Sequence, residues 1–90
     1  MRYKALSSGQ IRAARSLLRW RAQDLARESA VGVATIRRAE LTDHETSLTA
    51  ANDLAIRRAL EIAGVEFIDE NGGGPGVRLH KRQRGPTPRL

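Results

Sequence analysis

Hydrophobic and polar positions along the first 64 residues follow the helical period. Apolar residues recur three and four positions apart, which is the spacing of a helix that buries one face. The pattern predicts four helices, over 8–19, 22–29, 33–41 and 50–63. Their predicted inward residues are Ile11, Ala14, Leu17 and Leu18, then Leu25 and Ala26, then Ile36 and Ala39, and finally Ala55, Ile56, Ala59, Leu60 and Ala63. The predicted fold class is mainly α.

Residues with known preferences for helix ends flank these segments. Ser7 is predicted to cap the first helix, and Gln10 three residues later completes a capping box. Thr49 is the predicted cap of the fourth helix, and Gly64 its left-handed end. Trp20 lies at the junction of the first two helices, where we expect it to fill the core rather than to stack on a base.

The period of the pattern changes after the fourth helix. Residues 65–69 and 77–80 alternate and are β-prone, and the turn-rich segment ENGGGPG joins them. We therefore predict a short hairpin with Phe67 and Leu79 as its inward anchors. Because an isolated two-stranded hairpin is marginally stable in water, it must pack on the helices or pair with a second copy.

Charge is distributed unevenly along the 90 residues, whose net charge is +6. Residues 1–40 contain nine basic and three acidic side chains, residues 41–70 two and seven, and residues 71–90 five and none. Basic segments of this kind are typical of phosphate binding, although surface arginines can also simply keep a small domain soluble. The domain organisation we predict is a helical domain over 1–64, the hairpin over 65–80 and a basic disordered tail over 81–90.

Several classes of protein are disfavoured by composition. The chain contains no cysteine, and no apolar run approaches the ~20 residues that span a bilayer. It begins with MRYKALSSGQ, which is not the pattern of a secretory signal, so we expect a cytoplasmic, nucleoid-associated protein without membrane contact. Three adjacent residues, Asp43, His44 and Glu45, are too close in sequence to converge on a metal. With two histidines and no catalytic motif, we expect neither an enzyme nor a cofactor.

Residues 22–40 carry the clearest functional signal, and they read AQDLARESAVGVATIRRAE. The spacing of Leu25, Ala26, Ile36 and Ala39 suits two short helices that cross at a tight turn. The segment resembles the helix-turn-helix of the Cro-repressor-like (XRE) family of bacterial transcription regulators, over roughly residues 6–63. This resemblance implies a four-helix, lambda-repressor-like domain that binds double-stranded DNA as a dimer on inverted repeats.

Three positions in the turn depart from the family pattern. Ala30 stands where the family usually has a turn glycine. Gly32 stands where it often has a Ser or Thr cap, and Ser29 where it usually has a small apolar residue. We expect either a left-handed backbone at Ala30 or a turn that opens slightly.

With Ile36 facing inward, the third helix turns Ala34, Arg37, Arg38 and Leu41 outward at ~100° per residue, with Val33 at the edge. Arg38 can donate two hydrogen bonds to guanine, and Arg37 could contact a base or a phosphate. The resemblance adds base-facing roles for Val33 and Ala34, which could contact thymine methyls. The predicted base-reading residues are Val33, Ala34, Arg37 and Arg38. In the alternative interpretation, Arg37 or Arg38 forms a surface ion pair with Glu40 or Asp43.

Backbone contacts are predicted at the start of the second helix and along the edge of the third. By the resemblance, Arg21, Gln23 and Thr35 are the phosphate-contacting candidates. For Arg12 and Arg27 we favour a solvated or ion-paired side chain instead. The basic tail could add further phosphate contacts.

These observations predict a sequence-specific DNA-binding regulator that represses transcription as a homodimer on an inverted repeat. The predicted dimer contact is the hairpin, through Val65, Phe67, Ile68, Val77 and Leu79. An intramolecular role for the hairpin, covering the first and fourth helices, remains open. So does a second function on the same fold, a protein-interaction module such as an antitoxin or antiactivator.

Overall fold

Helices and one small antiparallel sheet account for the regular structure of residues 4–80, the part of the chain that the computed structural model describes. The predicted mainly helical fold with a C-terminal hairpin is confirmed, and the tail over 81–90 lies outside the described residues. None of the helices in this range is long and apolar enough to cross a membrane. The elements are α1 (Ser8–Leu18), α2 (Ala22–Ser29), α3 (Val33–Glu40), α4 (Ala50–Ile62), β1 (Val65–Ile68) and β2 (Gly76–Leu79).

The helix ends form largely as the sequence predicts. The Ser7 hydroxyl accepts the Gln10 amide at 3.1 Å, and Gln10 Oε1 accepts the Ser7 amide at 2.9 Å, which confirms the capping box. Thr49 accepts the Asn52 amide at 3.1 Å at the start of α4. At its end, Gly64 has a φ of 111°, which favours glycine and lets the chain turn directly into β1.

The hydrophobic core is formed by one face of each helix and by Val65, the first residue of β1. Trp20 and Leu18 are half-buried against it, as predicted. Leu17 is 41% exposed, so its predicted inward position is wrong. At ~100° per residue it lies about 120° around α1 from the fully buried Ile11. The buried apolar residues are Leu6, Ile11, Ala14, Ala22, Leu25, Val31, Ile36, Ala39, Ile56, Ala59, Leu60 and Val65.

The hairpin packs on the helices of its own chain. Strand β2 lies beside α1, and β1 lies beside α4. The register places Val65 opposite Leu79 and Phe67 opposite Val77. Phe67 packs against the core as predicted, but its inward partner is Val77. The prediction for Leu79 is wrong, because this last residue of β2 lies at the margin of the sheet and is 42% exposed.

One buried side chain links the start of α1 to both strands. Gln10 Nε2 donates to the carbonyl oxygens of Ile68 at 3.2 Å and of Gly76 at 3.1 Å. The same amide group completes the capping box through its oxygen, and Gln10 is 5% exposed. Since buried polar groups cost free energy when they lack partners, Gln10 stabilises the helix start and the hairpin together.

Candidate nucleic-acid interface

The turn between α2 and α3 closes tightly. Ala30 adopts a left-handed backbone, with φ 62° and ψ 24°, and its amide donates to the Ala26 carbonyl at 2.9 Å. The left-handed backbone expected at Ala30 is therefore confirmed. For a non-glycine residue this conformation costs about 1–2 kcal/mol. Ser29 satisfies its own buried hydroxyl by donating to the Leu25 carbonyl at 2.7 Å and accepting the Val31 amide at 3.2 Å.

Helix α3 packs on the core through one face and leaves the other open. Ile36 and Ala39 are buried as predicted, at 0% and 1% exposure. Ala34, Arg37 and Arg38 are exposed on the opposite side. The helix therefore presents a small residue and two cations outward from a well-packed base.

A buried ion pair joins the end of α3 to α1. Glu40 is 9% exposed and accepts a fork from Arg15, with Nε to Oε2 at 2.8 Å and Nη2 to Oε1 at 2.7 Å. This hydrogen bonding holds the pKa of the Arg15 guanidinium above its usual value. Arg15 also donates to the Trp20 carbonyl at 2.8 Å, and Arg12 donates to the Glu40 carbonyl. Two arginines of α1 thus hold the C-terminal end of α3.

This positioning role is not among the predictions made from the sequence, although the sequence carries a signal for it. Glu40 follows Ile36 by four residues, so both side chains lie on the inward face of α3. A carboxylate at such a position requires a cation from a neighbouring element. Arg12 is exposed as predicted, but its guanidinium donates to the backbone carbonyls of Glu40 and Thr42 rather than to a carboxylate.

Glu40 is consequently not the partner of Arg37 or Arg38, and that form of the ion-pair alternative is wrong. Within residues 4–80, neither arginine forms an ion pair. Arg38 makes a long hydrogen bond of 3.5 Å from Nη2 to Thr35 Oγ1. Arg27 behaves as expected, pairing with Asp24 at 3.0 Å.

Val33 is placed less favourably for base reading than its neighbours. This first residue of α3 is half-buried and packs against the hydrophobic core. Ala34, Arg37 and Arg38 are brought together on the outward face, but much of the Val33 side chain is used inside the protein. The apolar surface that a base could contact here is reduced.

The candidate phosphate contacts lie at the start of α2 and on the edge of α3. The Arg21 side chain is 78% exposed, although Asp24 accepts its amide at 2.8 Å and lies 3.9 Å from its guanidinium. These contacts, led by the Arg21 amide and followed by Arg27, hold the pKa of Asp24 below its usual value. Gln23 is exposed and Thr35 is half-buried. Arg21 can therefore reach outward, but it shares one carboxylate with Arg27.

Most of the residues predicted for the dimer contact pack against the core of their own chain. Val65 is 1% exposed, and Phe67 and Val77 pack against the same core. Ile68 is half-buried, and Leu79 is the most exposed of the five. A dimer contact at the hairpin would therefore depend on Leu79 and on the strand edges rather than on the whole set.

The acidic and histidine side chains of the described residues do not form a metal site. Among residues 4–80, no three His, Asp or Glu side chains are arranged to hold a metal ion. The loop that contains Asp43, His44 and Glu45 is held to α1 by its backbone, since the Ser8 amide donates to the His44 carbonyl at 2.8 Å.

Comparison with protein-family models, with curated proteins and with solved structures finds no match to this chain. The geometry of α2 and α3 is accordingly the basis on which a function can be assigned.

Proposed function

We propose that the chain is a lambda-repressor-like helix-turn-helix protein of the XRE type, a sequence-specific regulator that binds double-stranded DNA. One observation carries the proposal: α3 is held firmly on its inner face while its outer face exposes Arg37 and Arg38 without ion pairs among the described residues. A rigid helix with unneutralised cations on one face suits insertion into a major groove.

In this proposal each outer residue of α3 makes a different kind of contact with the DNA. Arg38 donates its fork to guanine O6 and N7, while the small side chain of Ala34 lets the helix approach the bases. Arg37 contacts a base or a phosphate. Arg21, Gln23 and Thr35 contact the backbone and set the orientation of the domain. Because polar base contacts are few, selectivity also depends on DNA shape.

The chain acts as a homodimer on an inverted repeat in this proposal, since one such helix reads only a few base pairs. Leu79 and the edge of the hairpin supply the contact between copies. Binding across a promoter would then repress transcription by occlusion. The five basic residues within 71–90 add sequence-independent attraction to phosphates.

Selection of bound duplexes from a random DNA pool tests this proposal directly. We expect a palindromic consensus whose half-sites lie about one helical turn apart. A selected motif without two-fold symmetry would contradict the dimer, and an absence of enrichment would contradict DNA reading altogether.

The second candidate function, a protein-interaction module, is favoured by the exposed side of α4. Ile62 is 87% exposed and Leu54 is 38% exposed, and they lie about 80° apart around the helix. Large exposed apolar side chains on one helix suit a protein partner. If DNA selection fails, Ile62→Asp should abolish the capture of a stoichiometric partner by the full chain, whereas Arg38→Ala should not.

A further inference from the structure

A groove of ≈ 330 Å³ lies beside the exposed end of α3, between the helix and the loop that follows it. Its walls include Arg38 and Thr35 on the helix side and Leu48 on the loop side, and Leu41 stands at the helix end. Leu41 is 82% exposed. It follows Ala34 by seven residues and Arg38 by three, so it continues the outward face of α3.

The backbone around Leu41 is held in place from the protein interior. The Ser8 hydroxyl donates to the Thr42 carbonyl at 2.9 Å, and the Thr42 hydroxyl donates to the Ala39 carbonyl at 3.2 Å. Arg12 donates to the Glu40 carbonyl on the other side. Leu41 is therefore an apolar side chain presented on a fixed backbone, beside a cation.

Leu41 is better placed than Val33 to contact a ligand. The Val33 side chain packs against the core, whereas Leu41 is open. In the major groove, thymine is the base that offers an apolar group, its C5-methyl. We propose that Leu41 is a specificity-determining residue that packs on a thymine methyl next to the base contacted by Arg38. This inference rests on the proposed DNA-binding function.

The rise of the helix between Arg38 and Leu41 is compatible with contacts to neighbouring bases. Arg38 and Leu41 are three residues apart, which is about 4.5 Å along α3. Successive bases on one strand are separated by about 3.4 Å. The two side chains can therefore contact neighbouring base pairs from one orientation of the helix, with the positive charge of Arg38 favouring the DNA surface.

Deoxyuridine lacks only the C5-methyl, so it isolates the proposed contact. The full chain would be given two random duplex libraries, one made with thymidine and one with deoxyuridine in its place. The duplex enriched from the first library would then be synthesised in both forms for affinity measurements. We expect about fourfold weaker binding of the deoxyuridine form for each methyl that Leu41 buries, and equal binding of both forms by Leu41→Ala.

Ile62→Ala is the matched control, because Ile62 is 87% exposed but belongs to α4. This variant should keep the wild-type difference between the two duplex forms. A wild-type protein that selects a motif but binds both forms equally overturns the role of Leu41 while leaving DNA reading intact. The role also fails if Leu41→Ala retains the full thymidine preference. Selection of no motif from either library overturns the proposed function and this inference together.

Discussion

The polar side chains of α1 and those on the outer face of α3 are used in opposite ways. On α1, Gln10 and Arg15 lie against other elements, and their hydrogen-bonding groups meet carbonyls, an amide and a carboxylate. On α3, Arg37 and Arg38 are exposed and form no ion pair within residues 4–80. Both helices carry two arginines, so composition alone does not distinguish them.

This difference separates residues that position α3 from residues that could contact a ligand. An arginine fork bound to a buried carboxylate contributes to stability and geometry, and Arg15 already uses three of its five N–H donors inside the protein. An exposed arginine contributes little to folding, but its donors remain available. Substitutions on α1 should therefore change stability first, whereas substitutions on the outer face of α3 should change binding first.

The largest expected effect comes from Arg15→Met. This change leaves the Glu40 carboxylate buried without its fork, which should lower the free energy of unfolding by about 2–4 kcal/mol. Urea denaturation of the purified chain measures the loss. The double variant Arg15→Met with Glu40→Leu should recover much of it, because no buried charge remains. An equal loss in both variants would show that packing, rather than the ion pair, holds α3 to α1.

Arg38→Ala should have the converse effect. We expect affinity for the selected duplex to fall by about 1–3 kcal/mol, with relaxed preference at one base position and an unchanged free energy of unfolding. Fluorescence anisotropy at fixed salt measures the binding. Arg27→Ala is the control, since this arginine is paired with Asp24. A similar loss on random and selected DNA would make Arg38 a phosphate contact.

A smaller loss is expected from Gln10→Glu. Glutamate keeps the acceptor for the Ser7 amide but removes the donor to Ile68 and Gly76, so the strands lose an anchor while the helix cap remains. We expect about 1–3 kcal/mol, with faster amide hydrogen exchange concentrated in β1 and β2. If exchange rises equally in all elements, Gln10 does not act on the hairpin in particular.

The smallest effect concerns the exposed cross-strand pair of Glu66 and Arg78, 3.1 Å apart. The hydrogen bond from Arg78 holds the pKa of Glu66 below its usual value, so the pair stabilises the fold above the unfolded-state pKa of about 4.3. That stability is lost as the pH falls through the lower folded-state pKa. The urea midpoint of the wild type should slightly exceed that of Glu66→Gln at about pH 6, and the difference should vanish in acid. A difference that persists in acid would contradict the ion pair.

Local features of the fold were predictable because their causes are local. The capping box of Ser7 and Gln10, the cap at Thr49 and the positive φ at Gly64 each depend on residues a few positions apart. The change of period after α4 likewise predicted the hairpin. The outward position of Ala34, Arg37 and Arg38 followed from the helical period once Ile36 was placed inside.

Errors occurred where the neighbouring element decides the outcome. Leu17 and Leu79 have the apolar character of core residues, but Leu17 lies off the buried face of α1 and Leu79 lies at the exposed end of β2. No prediction was made for Asp53, which is 1% exposed and accepts the Leu6 amide at 3.0 Å. Periodicity defines the apolar face of a helix. It does not specify how much of that face the neighbouring helices and strands will bury.

The order of amino acids thus determines where the helices begin and end, where the chain changes to strands, and which face of α3 carries its arginines. Tertiary packing alone decides that Arg15 engages Glu40, that Gln10 reaches both strands, and that Val33 at the edge of α3 packs against the core. The physical reason is the range of the interactions. Caps and periods act within one or two helical turns, whereas burial and ion pairing depend on residues that only the fold brings together.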